Sequence, residues 1–334
     1  MRRAPAQFRL IAIVVTAALC LSAAACNGGR QQEWSFRAAN PPTSSPSPAG
    51  PVVAKVDDVL PGDGPVFGVY TPDRSAAGLA TVAAKVGCRP ALQEVFGSVM
   101  DGVSVATLRG VAGTPMLSLE PWVSTGGKKQ PDWSLEATID GDWDKQYEAV
   151  ARSVVEYQQP LLIRFAHEMN GNWYPWGVAN GNQSGQYVAA WKHVVDLFRK
   201  AGATNALWVW SPNIIRGASS RTLKPFWPGD SYVDVVGLTG YGVREANPDT
   251  TYKATLTLIH ALTKKPIVLT EVGVQKGTDK RSWISGFGSW LLRNPQIAGF
   301  VWNEVTRDGD WRYDDNSGDL SAFKASLKTA KVSC

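Results

Sequence analysis

The sequence predicts an α/β fold, a closed (β/α)8 TIM barrel, and three observations predict it. From Val66 onward, short apolar runs of β-forming residues alternate with longer amphipathic segments. The short runs are apolar throughout, as strands of a parallel sheet covered on both faces are. Roughly 275 residues follow position 60 with no second composition break, close to the roughly 250 of one such barrel.

In chain order, strands are expected at Val66–Tyr70, faintly at Ala91–Val95, then at Pro115–Leu119, Leu161–Phe165, Leu207–Trp210, Val233–Leu238, Ile267–Thr270 and Ile297–Val301. Helices are expected at Ser75–Val86, Trp143–Tyr157, Gly185–Lys200, Thr250–Thr263, Arg281–Arg293 and Leu320–Ala330. Eight such units favour a closed barrel over an open doubly wound sheet. An open sheet holding a dinucleotide would show G-x-G-x-x-G after its first strand, and none is present. No G-x-x-x-x-G-K-[ST] phosphate loop is present either.

Upstream of the barrel, Arg2, Arg3 and Arg9 precede an uncharged apolar run, Leu10–Ala25, that ends in Ala23-Ala24-Ala25-Cys26. A positive flank, a short apolar core and small residues at the cut read as a signal peptide over residues 1–25. The run falls short of the roughly 20 residues of a membrane span. Small residues directly before Cys26 resemble a bacterial lipobox, although Ala23 stands where Leu is usual. Export is therefore expected, as a cell-surface lipoprotein with lipid on Cys26 as the only membrane attachment or, since ordinary signal peptidase could use the same Ala23-Ala24-Ala25 site, as a secreted protein. Mass spectrometry of the mature protein is expected to find a lipidated N-terminal Cys26; an unmodified Cys26 or a different start excludes the lipid. Residues 26–59 read as a Pro/Ser-rich tether, NPPTSSPSPAGP from Asn40 to Pro51 being extended and solvated. Residues 60–334 are the expected catalytic domain.

The full chain carries 34 basic and 29 acidic residues. Loss of the three leader arginines leaves it nearly neutral, and it holds no basic run of the kind that nucleic-acid binders show. No nucleic-acid partner is expected, and a monomer is. Of four cysteines, Cys20 leaves with the leader and Cys26 is the lipid candidate. Cys88 and Cys334 remain, an even pair in an oxidising compartment, and are expected to form a disulfide rather than two free thiols. The three His residues show no metal-ligand spacing, and no G-x-S-x-G elbow is present for a Ser-His-Asp triad. No metal or cofactor is implied.

Paired carboxylates remain as the catalytic engine. The active site of such a barrel lies at the C-terminal ends of its strands. There the sequence places Glu120 before Pro-Trp, Glu168 in Ala-His-Glu-Met-Asn-Gly, Glu271 in Thr-Glu-Val-Gly and Glu304 in Trp-Asn-Glu. Glycoside hydrolysis needs two such groups, one acid and one nucleophile or base. Sequence spacing does not say which two. Fourteen tryptophans, many beside Gly, Pro or Asn, could stack on sugar rings or fill a core.

The stretch RFAHEMNGNWYPWG, Arg164 to Gly177, closely resembles the acid/base segment of glycoside hydrolase family 26, best known for β-mannanases. VLTEVG, Val268 to Gly273, looks like that family's nucleophile strand. FVWNEVTRDGDWRYDD, Phe300 to Asp315, looks like its eighth strand and following loop, and FGVYTP and GLTGYG also fit. The resemblance spans nearly the whole domain. It implies a retaining, endo-acting two-glutamate mechanism on a β-linked polysaccharide, with Glu168 as acid/base and Glu271 as nucleophile. Retention requires the two carboxyls roughly 5–5.5 Å apart.

The resemblance also gives the neighbours roles. Arg164 would lie beneath the site and orient a carboxylate. His167 would hydrogen-bond the sugar at the cleavage point, Asn170 would fix the Glu168 loop, and Tyr241 would donate to Glu271. Trp173, Trp176 and Trp302 would stack on sugar rings, core packing being the alternative for Trp302. Glu120 and Glu304 are expected to line the cleft. The loop from Gly126 to Trp133 matches no family signature, and the segment between the first and third strands is short. These loops shape the subsites, and the family includes β-1,3-xylanases and mixed-linkage β-glucanases beside mannanases. A binding-only barrel would be expected to lack a catalytic Glu, and both are present; an envelope-glycan hydrolase is the remaining alternative.

Overall fold

Eight parallel strands close on one another: β1 (Val66–Tyr70), β2 (Leu92–Ser98), β3 (Thr114–Glu120), β4 (Leu161–Phe165), β5 (Ala206–Trp210), β6 (Val235–Gly242), β7 (Ile267–Val274) and β8 (Ile297–Asn303). The computed structural model describes residues 50–334, apart from positions 124, 245, 246, 278 and 308. The expected signal peptide, Cys26 and most of the tether lie outside the described residues. Around the strands run α1 (Ala76–Val86), α2 (Val105–Arg109), α3 (Leu135–Ile139), α4 (Asp144–Tyr157), α5 (Gln186–Lys200), α6 (Pro248–His260), α7 (Lys280–Arg293) and α8 (Ser317–Thr329).

The side-chain alternation of each strand sorts residues into two cores. On β4, Leu161, Ile163 and Phe165 face outward into the layer shared with the helices. Leu162 faces the barrel interior, where it meets Val66, Leu92, Met116, Val268 and Val301. This inner cluster fills the bottom of the barrel. Val59 and Leu60 complete it from below, so the domain begins before the expected boundary at residue 60. Thr204 fixes this entry segment, accepting from Ala54 N at 2.9 Å and donating to Val52 O at 2.7 Å.

The helices start where side chains satisfy their free N–H groups. Ser75, Asn247 and Asn316 cap α1, α6 and α8. Asn247 followed by Pro248 explains why α6 opens ahead of the expected Thr250. Two short helices, α2 and α3, lack enough turns to show a periodicity and are absent from the expected set. The eight-unit repeat also fails at one place. Between β5 and β6 there is no α-helix, only the 3-10 turns Lys224–Phe226 and Asp230–Tyr232. Pro212, Pro225 and Pro228 interrupt that segment, and a proline cannot donate an intrahelical bond. Leu223, Phe226 and Trp227 cover the barrel there instead.

Cys88 and Cys334 are joined in a disulfide. It ties the end of the chain, which bridges Val66 through Ser333, to the segment before β2. The bond spans 246 residues of sequence, and chain entropy assigns so long a closed loop roughly 5 kcal/mol. Cys88→Ala, or reduction of the wild type, is expected to lower the urea midpoint markedly. Equal midpoints with and without reductant would exclude the bridge as a stabiliser.

Candidate active site

Above the apolar floor of the barrel lies a polar layer built around Arg164. The phase of β4 that sends Leu162 inward sends Arg164 inward one step later, into complete burial. Its Nε donates to Ser211 Oγ at 2.9 Å and its Nη2 to Thr239 Oγ1. Its Nη1 reaches Glu271 Oε1 at 2.7 Å, Glu94 Oε1 at 3.0 Å and Ser118 Oγ at 3.1 Å. A buried guanidinium is tolerable only when paired and hydrogen-bonded, and here all three nitrogens have acceptors, two of those acceptors being carboxylates.

Glu271 faces the same space because β7 is irregular. Val268 lies in the inner core, so strict alternation would turn Glu271 outward. The β7–β8 register shifts between Leu269 and Val272, and this irregularity turns the carboxyl toward Arg164. Its other oxygen accepts from Tyr241 Oη at 2.6 Å, and Asn303 Nδ2 donates to Tyr241 Oη at 2.6 Å. Both oxygens of Glu271 thus hold strong donors, as an attacking carboxylate requires.

Glu168 sits on a strained turn after β4. Ala166 and Glu168 have φ of 42° and 55°, left-handed values that side chains other than glycine seldom adopt. Glu168 N donates to Ser211 O at 2.7 Å and so pins the turn to β5. Asn170 secures it again, donating to Asn213 O at 2.8 Å and accepting from Asn213 N at 2.9 Å. The Glu168 carboxyl accepts from Asn213 Nδ2 at 3.1 Å and from Trp173 Nε1. Gly171 lies directly under the Trp173 ring, where a Cβ would come within 2.4 Å. Burial, then the nearby Glu271 carboxylate, push the Glu168 carboxyl up to about 7, against Arg164, Asn213 and Trp173.

The expected neighbours divide. Arg164, Asn170 and Tyr241 take the supporting positions foreseen for them, but Arg164 and Asn170 are buried and present nothing to a ligand. His167 is fully buried too, its Nε2 against Tyr174 Oη at 3.1 Å, so a direct bond to a sugar is not available to it here. Burial and the Arg164 charge hold its imidazole well below the usual range, hence neutral. Trp176 is no stacking platform: it is buried, stacks on Tyr174 and donates to His167 O at 2.6 Å. Trp302 is core, because Val301 and Asn303 take the inward phase of β8 and turn Trp302 onto Phe323, Trp283 and Phe287. Trp173 stays half-buried beside Glu168.

Of the two acids expected to line the cleft, Glu120 does so, whereas Glu304 follows the inward-facing Asn303 and turns instead toward Tyr313 and Asp314. Glu120 lines a cavity of about 490 Å³ with Tyr70, Phe96, Trp122, Tyr174 and Arg307, and burial pushes it up to about 7. Glu304 accepts from Tyr313 N at 3.0 Å, and burial followed by Asp314 pushes it up to about 9. Four functional residues escaped the sequence reading: Glu94, Asn213, Asn303 and Trp311, which packs its ring 4.6 Å from Tyr241. Asn213 was accessible to the rule used for the acids, since it closely follows β5. Glu94 announces itself only as a lone carboxylate within an apolar strand.

A (β/α)8 barrel with two differently held glutamates at its C-terminal mouth has the parts that two-carboxylate glycoside hydrolysis needs. A sequence profile of glycosyl hydrolase family 26 matches residues 136–329, more than half of the chain, and the chain belongs to that family. It is 26% identical over 225 residues to Endoglucanase H of Acetivibrio thermocellus, covering 64% of this chain and 24% of that protein. It is 30% identical over 166 residues to the mannan endo-1,4-beta-mannosidase of Bacillus subtilis strain 168, covering 48% and 42%. It is 24% identical over 204 residues to Beta-1,3-xylanase TXYA of a Vibrio species, covering 54% and 43%. The chain thus spans less than half the length of these curated relatives. Its fold resembles that of a GH26 beta-mannanase from Bacteroides ovatus, with a TM-score of 0.66 at 20% identity, over 83% of this chain and 92% of that one.

Proposed function

We propose that this chain is an exported, retaining, endo-acting glycoside hydrolase that cleaves β-1,4-mannan. The observation that carries the chemistry is the contrast between its two carboxyls. Glu168 is held in the range where it carries a proton near neutral pH, while Glu271 is clamped by Arg164 and Tyr241. In the first step a Glu271 oxygen attacks C1 of the sugar. The C1–O bond to the leaving sugar breaks, and Glu168 passes its proton to the departing oxygen. In the second step the ionised Glu168 takes a proton from water, the water oxygen bonds to C1, and the ester to Glu271 breaks. Tyr70, Phe96 and Trp122 offer stacking faces for sugar on one side of the cut.

Mannan is favoured by family membership and by the Bacillus subtilis relative, named a mannan endo-1,4-beta-mannosidase. A β-glucan is the second reading, since the Endoglucanase H alignment covers 64% of this chain against 48% for that mannanase. Export rests on the Arg-flanked apolar run Leu10–Ala25. The deciding experiment measures reducing-sugar release by the full chain from β-mannan, mixed-linkage β-glucan and β-1,3-xylan. Activity on mannan above the others is expected. Preference for mixed-linkage glucan moves the substrate to the second reading. Silence on every polymer, from a folded protein, overturns these three substrates and moves an envelope-glycan hydrolase or a binding-only barrel ahead of the mannanase.

A further inference from the structure

Glu94 lies outside the stretch that the family profile matches, yet it touches the residue that orients Glu271. It projects from β2 into the polar layer and is fully buried. Its Oε1 accepts from Ser118 Oγ at 2.7 Å and from Arg164 Nη1 at 3.0 Å. Its Oε2 is buried and has no hydrogen-bond partner.

The charges do not balance if every group is ionised. Arg164 is the cation between two carboxyls, Glu94 on β2 and Glu271 on β7. Glu168, Tyr241, Glu120 and Tyr174 also face this cluster, as does the buried, neutral His167, so none of them adds a second cation. Away from water, one guanidinium balances one carboxylate, and a second would stay uncompensated at a cost of several kcal/mol. The two candidates are unequal. Glu271 has a strong donor on each oxygen and keeps some exposure to the cleft. Glu94 has donors on one oxygen only. An orphaned oxygen is far cheaper to bury on a neutral acid than on a carboxylate.

We propose that Glu94 is a positioning residue for the reaction: as a neutral carboxylic acid it holds Arg164 against Glu271 without competing for its charge. Burial and the Glu271 carboxylate push Glu94 upward in agreement with this, Arg164 and Ser118 opposing. The arrangement gives Glu271 the whole of the Arg164 charge before attack. Once Glu271 becomes an ester, the same charge is available to Glu168, which ionises in that step. The kinetic part of this proposal rests on the glycosidase reading; the protonation state does not.

The test compares Glu94→Ala with Glu94→Gln in the full chain. Loss of the anchor displaces Arg164, and kcat on the best polymer is expected to fall on the order of 100-fold in Glu94→Ala, with KM little changed. Glutamine is neutral and keeps an acceptor for Arg164 and Ser118, so it is expected to recover at least roughly tenfold of that loss. If Glu94 acted as a charge, glutamine would do no better than alanine, and that result overturns the proposal. The infrared difference between wild type and Glu94→Gln at pH 7 needs no activity. A carboxylic-acid C=O band above the amide region, present only in the wild type, is expected; its absence overturns the proposal even if Glu94→Ala fails to fold. Should the wild type cleave no polymer, the glycosidase reading fails while the infrared result still decides the proton on Glu94.

Discussion

Glu271→Ala is expected to lower kcat/KM on the best polymer by at least about four orders of magnitude. On the proposed mechanism the substitution removes the group that bonds C1 from the face opposite the leaving group. Arg164 and Tyr241 would still aim donors at the vacated space, so ground-state binding loses less than catalysis. The signature is therefore a collapse of kcat with KM within a few-fold. The wild type is expected to release its new reducing end first as the β-anomer, because two inversions restore the configuration. NMR of the first products in heavy water reads this directly. A mutant within tenfold of the wild type removes Glu271 from the nucleophile role, and an initial α-anomer removes the retaining mechanism.

Glu168→Ala is expected to cost on the order of a thousandfold on a polysaccharide, whose leaving sugar departs poorly without a proton. On an aryl glycoside with an acidic phenol the leaving group needs no proton, and release of the first equivalent of phenol is expected to survive almost intact. Equal losses on both substrates would deny Glu168 the acid role. The pH dependence has a definite sign. Glu168 works as an acid only while protonated, so wild-type activity on polymer falls as pH rises through about 7. Its folded value lies above the ordinary 4.5, so the folded chain holds this proton more tightly than the unfolded chain does. That contribution to stability is fully present below the unfolded value and is lost as pH rises through about 7. Glu168→Gln, neutral at every pH, is accordingly expected to melt higher than the wild type at pH 8 and no higher at pH 4.

The barrel was legible because its signal is periodic and repeated. Uniform apolar strands mark a sheet covered on both sides, and six amphipathic helices mark what covers it. The short helices α2 and α3 lack enough turns to show a period, and the β5–β6 connection replaces a helix altogether. The acids were legible because each follows an apolar run of strand-forming residues, although β3 extends to Glu120 itself and β7 runs past Glu271 to Val274. Their environment was not, since it depends on side-chain phase. Trp302 and Asn303 are adjacent in sequence, yet one packs on helices and the other bonds Tyr241. Trp173 and Trp176 share one loop, and only a fold that seats Tyr174 over His167 buries the second. Glu271 faces inward only through a register shift that no local pattern announces.

The connection without a helix has one more consequence. It is held by two short 3-10 turns in place of a helix, and it delivers Ser211 and Asn213 to the Glu168 turn. Segments of that kind open locally at a lower free energy than the body of a domain. When residues 213–222 open, Asn213 leaves Glu168 and Asn170 together, and the acid loses its bearing while the barrel stays closed. Warming is therefore expected to silence the site before it melts the protein. The temperature at which activity fails is accordingly expected to lie below the melting temperature, and coincident activity and melting transitions would remove this wall as the weak point.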